Sequence, residues 1–372
     1  MLPLYPSSSR ARPRLPLLAS LPSRELEQRL VERGGTPSQA RSAVGRLRAF
    51  LHGPASALEP RWDAGVFKDL GIGSWAHASL LELDPRLSLE IAERAPAGDG
   101  VERLLLRARD GALLETVLIP GPSRTTVCIS SQVGCARACS FCETGALGLT
   151  RQLDAGEMVD QVRLARALWG DKFPPLSNVV FMGMGEPFDN LGEVARATHV
   201  LTDDRGLKLS PSRVTVSTVG VADKIGAFFE SCRAELAVSL NAPDDARRSA
   251  IMPVNQRFDM SALRAAIAAH LPHGHKVLFE YVLIGGFNDA PSDADLVADY
   301  VRDLRARVNV IPVNPGPDPS IRPPSPASVD AFVGRLAARG VTTLVRRPRG
   351  RDVGGACGQL AGARRLELGA SA

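Results

Sequence analysis

No apolar run in the 372-residue chain approaches the roughly 20 residues that a bilayer-crossing helix requires, so no membrane association is expected. The stretch Arg14–Ser20 is short and broken by Pro16, which argues against a signal peptide. A cytoplasmic location is the resulting expectation, and reducing conditions there leave thiols free for metal binding or catalysis. Lysine is scarce, confined to Lys68, Lys172, Lys208, Lys224 and Lys276, so nearly all positive charge is arginine. Arginine's planar fork suits phosphate and base edges. Arginine usage also follows genomic base composition, and a net charge of +5 does not by itself establish a nucleic-acid partner. No internal repeat points to a solenoid, and the six histidines form no ligand constellation.

With 44% apolar residues the chain can bury a substantial core. Residues 1–21, rich in Ser, Pro and Arg, read as a flexible tail. From 22 to 95, helical patterns such as Leu26 and Leu30, then Ala43, Val44, Leu47 and Phe50, alternate with Pro and Gly breaks and predict a small helical accessory domain. Residues 96–120 form a connector that reads as a hairpin, because two apolar runs flank the turn dipeptide Asp110-Gly111. Over 121–347, strand-like runs at Thr126–Ile129, Val179–Met182, Val214–Ser217, Leu236–Leu240, Val277–Leu283, Val308–Val313 and Thr342–Val345 alternate with helix-length segments. That spacing predicts an α/β fold, a partial parallel (β/α) barrel. One helix should start at Asp154, where Glu157 completes a capping-box pattern and Met158, Val162, Ala165 and Trp169 share a face. Residues 348–372 are a C-terminal segment carrying Cys357.

Cysteine carries the chemistry. Cys128, Cys135, Cys139 and Cys142 fall within fifteen positions, and the last three form a C-x3-C-x2-C run. Three thiolates on a four-iron cube leave one iron open to a substrate-like ligand. Zinc is the competing reading, although zinc knuckles pair one C-x2-C with another or with histidines, and no histidine lies near. Cys128 taken alone reads as a buried strand thiol. Cys357, among Gly354, Gly355, Ala356 and Gly358, suits a mobile loop but equally a plain C-terminal turn. At Gly185-Glu186, glycine would let the backbone approach a cofactor and the carboxylate could receive an ammonium group; a lone Gly-Glu-Pro is otherwise a simple turn.

Taken together, Val127–Cys135, Cys139, Cys142–Gly145, Met182–Pro187, Arg213–Thr218, Ser239–Pro243, Ile311–Pro315 and Arg349–Leu360 resemble the radical S-adenosylmethionine RNA adenosine methyltransferases, in order and at matching spacing. The resemblance runs from about Glu115 to Gly362. It implies a 4Fe-4S cluster on Cys135, Cys139 and Cys142, and an S-adenosylmethionine site lined by Gly185, Glu186, Ser217, Ser239, Leu240, Asn241 and Asn314. It implies methylation of an adenosine carbon, C2 in 23S rRNA and in some members tRNA, with C8 in a relative. Two S-adenosylmethionine molecules are used per turnover. One methylates the residue matching Cys357; the other yields a 5'-deoxyadenosyl radical that takes hydrogen from the S-methyl group. Cys128 then matches the thiol that forms a disulfide with the carrier, and Glu115 the proton acceptor. The implied partners are the RNA and an electron donor such as flavodoxin or ferredoxin, with the enzyme a monomer.

Two positions depart from the family pattern: Asn241 replaces a common histidine, and Val313 stands where an aromatic often precedes the asparagine. Asparagine can still hydrogen-bond a ribose or carboxylate. The N-terminal helical region, which in the family helps grip RNA, does not align. A non-catalytic zinc- or cluster-bearing RNA-binding protein remains the reading of another class.

Overall fold

The computed structural model describes residues 17–51, 62–169, 174–314, 320–346 and 349–360. Helices Ser23–Glu32, Pro37–Leu51, Ala64–Asp69 and His77–Leu81 make the N-terminal unit. Their apolar positions recur three and four apart, so Leu26, Leu30, Ala40, Val44 and Leu47 meet Phe67 and Leu80 in a core separate from that of the main sheet. Leu18 and Leu21 are buried in this same core, and the Leu18 N–H donates to the Asp84 carbonyl at 2.8 Å. Leu17–Leu21 is therefore packed rather than part of a tail, because its apolar side chains have a core to join. The rest of the expected tail, residues 1–16, and the end of the C-terminal segment, 361–372, lie outside the described residues.

Twelve strands follow: β1 Leu89–Pro96, β2 Glu102–Ala108, β3 Leu113–Pro120, β4 Thr125–Cys128, β5 Gln132–Cys135, β6 Gly148–Gln152, β7 Leu176–Phe181, β8 Val214–Thr218, β9 Glu235–Ser239, β10 Val277–Leu283, β11 Ala306–Pro312 and β12 Thr343–Val345. Ten of them form one sheet in the order β1-β2-β3-β4-β7-β8-β9-β10-β11-β12, while β5 and β6 pair separately. From β4 to β12 neighbouring strands run parallel, and β1 to β4 run antiparallel. This is a partial (β/α) barrel extended at its first edge by an antiparallel ribbon. All seven expected parallel strands are present, and the expected hairpin is β2–β3.

Strand β1 was not expected, since it lies within the span read as helical. Only one of its faces is covered, so its Glu, Ala and Arg positions leave a weak apolar alternation.

The helix Ala155–Trp169 packs on the parallel strands with Met158, Val162, Ala165 and Trp169 buried. Its start is a reciprocal cap: the Glu157 N–H donates to Asp154 Oδ1 at 2.8 Å, and the Asp154 N–H to Glu157 Oε2 at 3.0 Å. Among the described residues no helix is long and apolar enough to cross a membrane.

Candidate functional site

A cavity of about 250 Å³ opens at the C-terminal ends of the parallel strands, where barrel folds collect their functional loops. It gathers ten of the thirteen residues singled out from the sequence: Cys135, Cys139, Cys142, Gly185, Glu186, Ser217, Ser239, Asn241, Asn314 and Cys357. Leu240, Cys128 and Glu115 are not among its lining residues. Leu240 is fully buried in the main core and offers its backbone alone, the N–H donating to the Glu280 carbonyl at 2.9 Å and the carbonyl accepting from Arg248 Nε at 3.1 Å.

The three cysteines sit on a tightly wound segment. Cys135 ends β5, where Gly134 at φ 78° allows a bulge against β6; a Cβ there would fall 1.9 Å from the Gly148 carbonyl oxygen. Ala138 is left-handed at φ 49°, an uncommon conformation for a residue with a Cβ, and it turns the chain into Cys139. The Cys142 N–H then donates to the Cys139 carbonyl at 3.1 Å. Burial pushes all three thiols up, Cys135 to about 12, and Cys135 and Cys139 also feel the charge of others of the set. Thiols so placed stay protonated unless a cation neutralises them, which fits a metal-bearing group. Among the described residues, no three His, Cys, Asp or Glu side chains converge on one point, as a mononuclear zinc site requires. Thiolates on separate corners of a cube need not converge.

Opposite them, Gly185 has φ 105°, and a Cβ there would lie 2.6 Å from the Gln132 Cβ. Only glycine fits, and it delivers Glu186 with its N–H donating to Gln132 Oε1 at 2.7 Å. The Glu186 carboxylate accepts the N–H groups of Phe188 at 2.9 Å and Val219 at 2.8 Å. Burial pushes it up to about 7, against the pull of those donors. A buried carboxylate so held is a receptor for a ligand cation. Ser217 Oγ donates to Glu280 Oε2 at 2.9 Å. Asn241, left-handed at φ 58°, spends its side-chain carbonyl on the Val282 N–H at 2.9 Å, so its amide braces the wall as well as lining it. Asn314 Oδ1 accepts from Arg351 Nε at 2.9 Å.

Cys128 is the last residue of β4, where it pairs with Val117 of β3 and Val180 of β7. Burial pushes its thiol to about 12; the next influence is Cys357, and Arg346 pulls the other way. Glu115 on β3 is 2% exposed and ion-paired with Arg103. The Cys357 segment is held at both ends. The Gly350 N–H donates to Asp99 Oδ2 at 3.0 Å, while the Gly358 carbonyl accepts the Glu143 N–H at 2.8 Å.

The Radical SAM superfamily matches residues 129–296. A protein named "Probable RNA methyltransferase sce1580" from Sorangium cellulosum (strain So ce56) is 67% identical over 94% of this chain and 88% of its own length. A dual-specificity RNA methyltransferase RlmN from Anaeromyxobacter dehalogenans (strain 2CP-C) is 41% identical over 93% of this chain and 92% of its own. The chain belongs to the RlmN-type radical SAM RNA methyltransferase family. The crystal structure of a radical SAM methyltransferase from Sphaerobacter thermophilus superposes with a TM-score of 0.79 at 37% identity, covering 93% of this chain and 99% of that one. Membership in an RlmN-type radical SAM family brings S-adenosylmethionine and a 4Fe-4S cluster, and the cysteine cavity is where this chain's residues fit them.

Two residues of this RlmN-type site escaped the sequence. Glu280 lines the cavity and was visible as the one acid inside the apolar run Val277–Leu283. Arg346, just beyond β12, feels the charges of Cys357, Cys128 and Glu280, and nothing in its neighbourhood along the chain distinguished it.

Proposed function

We propose that the chain methylates C2 of an adenosine in 23S rRNA, with tRNA as a further substrate, through an S-methylated Cys357 and at two S-adenosylmethionine molecules per turnover. The observation that carries this reading is a fourth cysteine, Cys357, lining the cavity that also holds the three-cysteine loop, with the buried thiol of Cys128 on β4 close enough to feel its charge. Adenine C2 is an electron-poor carbon that cannot attack an electrophilic methyl group, so polar transfer from a sulfonium is closed. A radical route through a protein-held carbon remains open, and such a route needs a carrier sulfur and a second sulfur to release the product.

Cys135, Cys139 and Cys142 would hold the cluster, which when bound supplies the electron for reductive cleavage of S-adenosylmethionine. Glu186 receives the ammonium group of the cofactor's methionine part, and Gly185 lets that part approach the backbone. Ser217, Ser239, Asn241 and Asn314 line the remainder, with Leu240 contributing its backbone. Cys357 accepts the methyl group and carries it as carbon to the base. Cys128 takes Cys357 into a disulfide as the product leaves, and Glu115 accepts the proton released from the ring carbon. The ion pair with Arg103 fixes the Glu115 carboxylate on the strand next to Cys128. The small glycine-rich segment around Cys357 allows it to meet both partners. A flavodoxin- or ferredoxin-type protein would deliver the electrons, and the helical unit of residues 17–83 is the RNA grip.

Anaerobic turnover with nucleoside mass spectrometry tests the reading. The product should be 2-methyladenosine; Cys128→Ala should accumulate a covalent protein–RNA adduct, and Cys357→Ala should give no methylated RNA. An 8-methyladenosine product would reject the C2 assignment, and methylated RNA from Cys357→Ala would remove the carrier from the mechanism.

A further inference from the structure

We propose that Asp99, in the turn joining β1 to β2, is a positioning residue for Cys357, its carboxylate fixing the near end of segment 349–360 so that the thiol is presented to the cavity. The inference rests on the methyl-carrier reading of Cys357. The turn is itself well bonded: the Ala97 N–H donates to the Val101 carbonyl at 2.7 Å, the Gly100 N–H to the Ala97 carbonyl at 3.0 Å, and the Val101 N–H to Asp99 Oδ1 at 3.1 Å. The second carboxylate oxygen serves the segment instead. Asp99 Oδ2 accepts the Gly350 N–H at 3.0 Å and pairs with Arg349 Nε at 3.4 Å, while Arg349 also donates to the carbonyls of Asp99 and Pro120. The contact is returned from the other side, where Asp352 Oδ2 accepts the Gly98 N–H at 3.0 Å. Gly350, left-handed at φ 66°, lies so close that a Cβ would fall 2.6 Å from Val101 Cγ1. A terminal segment is ordered only where it is tied down, and this one is tied by a charge pair and by exchanged backbone N–H groups.

The grip lies at one end of a short span. At the other end the Gly358 carbonyl accepts the Glu143 N–H at 2.8 Å, and the Leu360 carbonyl accepts Thr144 Oγ1 at 3.1 Å, both from the helical turn that follows Cys142. Between the two ends Arg351 Nε reaches Asn314 Oδ1 in the cavity wall at 2.9 Å, and Cys357 lines the cavity. Fixing both ends reduces the volume that Cys357 samples and raises its effective concentration at the cavity. In the step this serves, the thiol proton of Cys357 passes to solvent and a sulfur lone pair forms the new S–C bond. The bond from the methyl carbon to the sulfonium sulfur breaks as it forms, its electron pair staying on that sulfur. Asp99 touches none of these atoms and acts through Gly350. The bland alternative is that Asp99 only pins the edge of the β1–β2 ribbon.

The test uses reconstituted holoenzyme without RNA, S-adenosylmethionine carrying a deuterated methyl group, and mass spectrometry of the Cys357 peptide. In Asp99→Ala the maximal labelling rate should fall about tenfold or more, with cluster absorption kept and the cofactor concentration giving half that rate within about twofold of wild type. Asp99→Asn, which keeps an acceptor for the Gly350 N–H, should label within about threefold of wild type. Without cofactor, iodoacetamide should alkylate Cys357 about threefold faster or more in Asp99→Ala, because a loosened segment exposes the thiol. Asp352→Ala, which opens the same grip from the segment's side, gives the same comparison if Asp99→Ala loses its cluster. Wild-type labelling or unchanged alkylation in the alanine variant, a half-saturation shift as large as the rate loss, or an asparagine variant as slow as alanine overturns the proposal. A wild-type enzyme that methylates RNA without ever labelling Cys357 overturns the carrier reading instead, and the alkylation contrast still reports whether Asp99 holds the segment.

Discussion

Glu186→Gln isolates the electrostatics of the cofactor site. The wild-type carboxyl is pushed from 4.5 to about 7 by burial. Between those two values the unfolded chain has released a proton that the folded chain still holds, so stability falls as pH rises through the window. The full effect, two to three units at 1.36 kcal/mol each, is about 3 kcal/mol, absent below pH 4.5 and complete above about pH 7. Glutamine keeps the volume and removes the titration. It also leaves one of two backbone donors, the N–H of Phe188 or Val219, facing an amide NH2 group, which costs about 1–3 kcal/mol at every pH. The variant should therefore be less stable than wild type at pH 5 and match or exceed it at pH 8. The swing of about 3 kcal/mol is independent of the hydrogen-bond loss. Urea denaturation of the cluster-free, cofactor-free chain at the two pH values measures it, and a titration with S-adenosylmethionine should show binding lost in the variant. A swing under about 1 kcal/mol would refute the electrostatic account; undiminished binding would refute the ammonium role.

Three further changes test neighbouring parts. Cys139→Ala should abolish both the iron–sulfur absorption and reductive cleavage of S-adenosylmethionine after anaerobic reconstitution; retention of either would remove Cys139 from the ligand set. Gly185→Ala forces a Cβ to 2.6 Å from Gln132 at a left-handed φ of 105°, and a loss of about 3 kcal/mol is expected in denaturant melts, with weaker cofactor binding. Asp154→Ala removes the acceptor of the Glu157 N–H at 2.8 Å and should lower stability by about 1 kcal/mol without changing cluster content.

The parallel strands were legible because each carries a short run rich in apolar and β-branched residues, mostly buried in the inner strands although β12 leaves Leu344 and Val345 exposed, and the Asp154 cap because its two partners lie three residues apart. β1 was not, since an edge ribbon covered on one side tolerates charge, here Glu90, Glu93 and Arg94 among its eight residues. β5, with Gln132, Val133, Gly134 and Cys135 all buried, has no period at all and is set by the bulge at Gly134. Leu17–Leu21 looked like tail because its composition continued that of the residues before it, whereas its fate was decided by a helical core it could join.

The site divides along the same line. The cysteine loop is local: three thiols fall within eight positions, so their spacing alone marked them as candidates to serve one group. The rest of the cavity is assembled from the ends of several parallel strands and the C-terminal segment, and no spacing along the chain encodes which side chains those elements turn inward. That is why the bond from the Val282 N–H to the Asn241 amide oxygen, and the turning of Glu280 into the cavity, could not be read from spacing. A barrel strand's register fixes inward and outward positions together, so a one-residue slip of β10 would turn Glu280 away from Ser217 without altering the cysteine motif. The conspicuous motif thus specifies the cysteine loop, and the strand register specifies the wall that faces it.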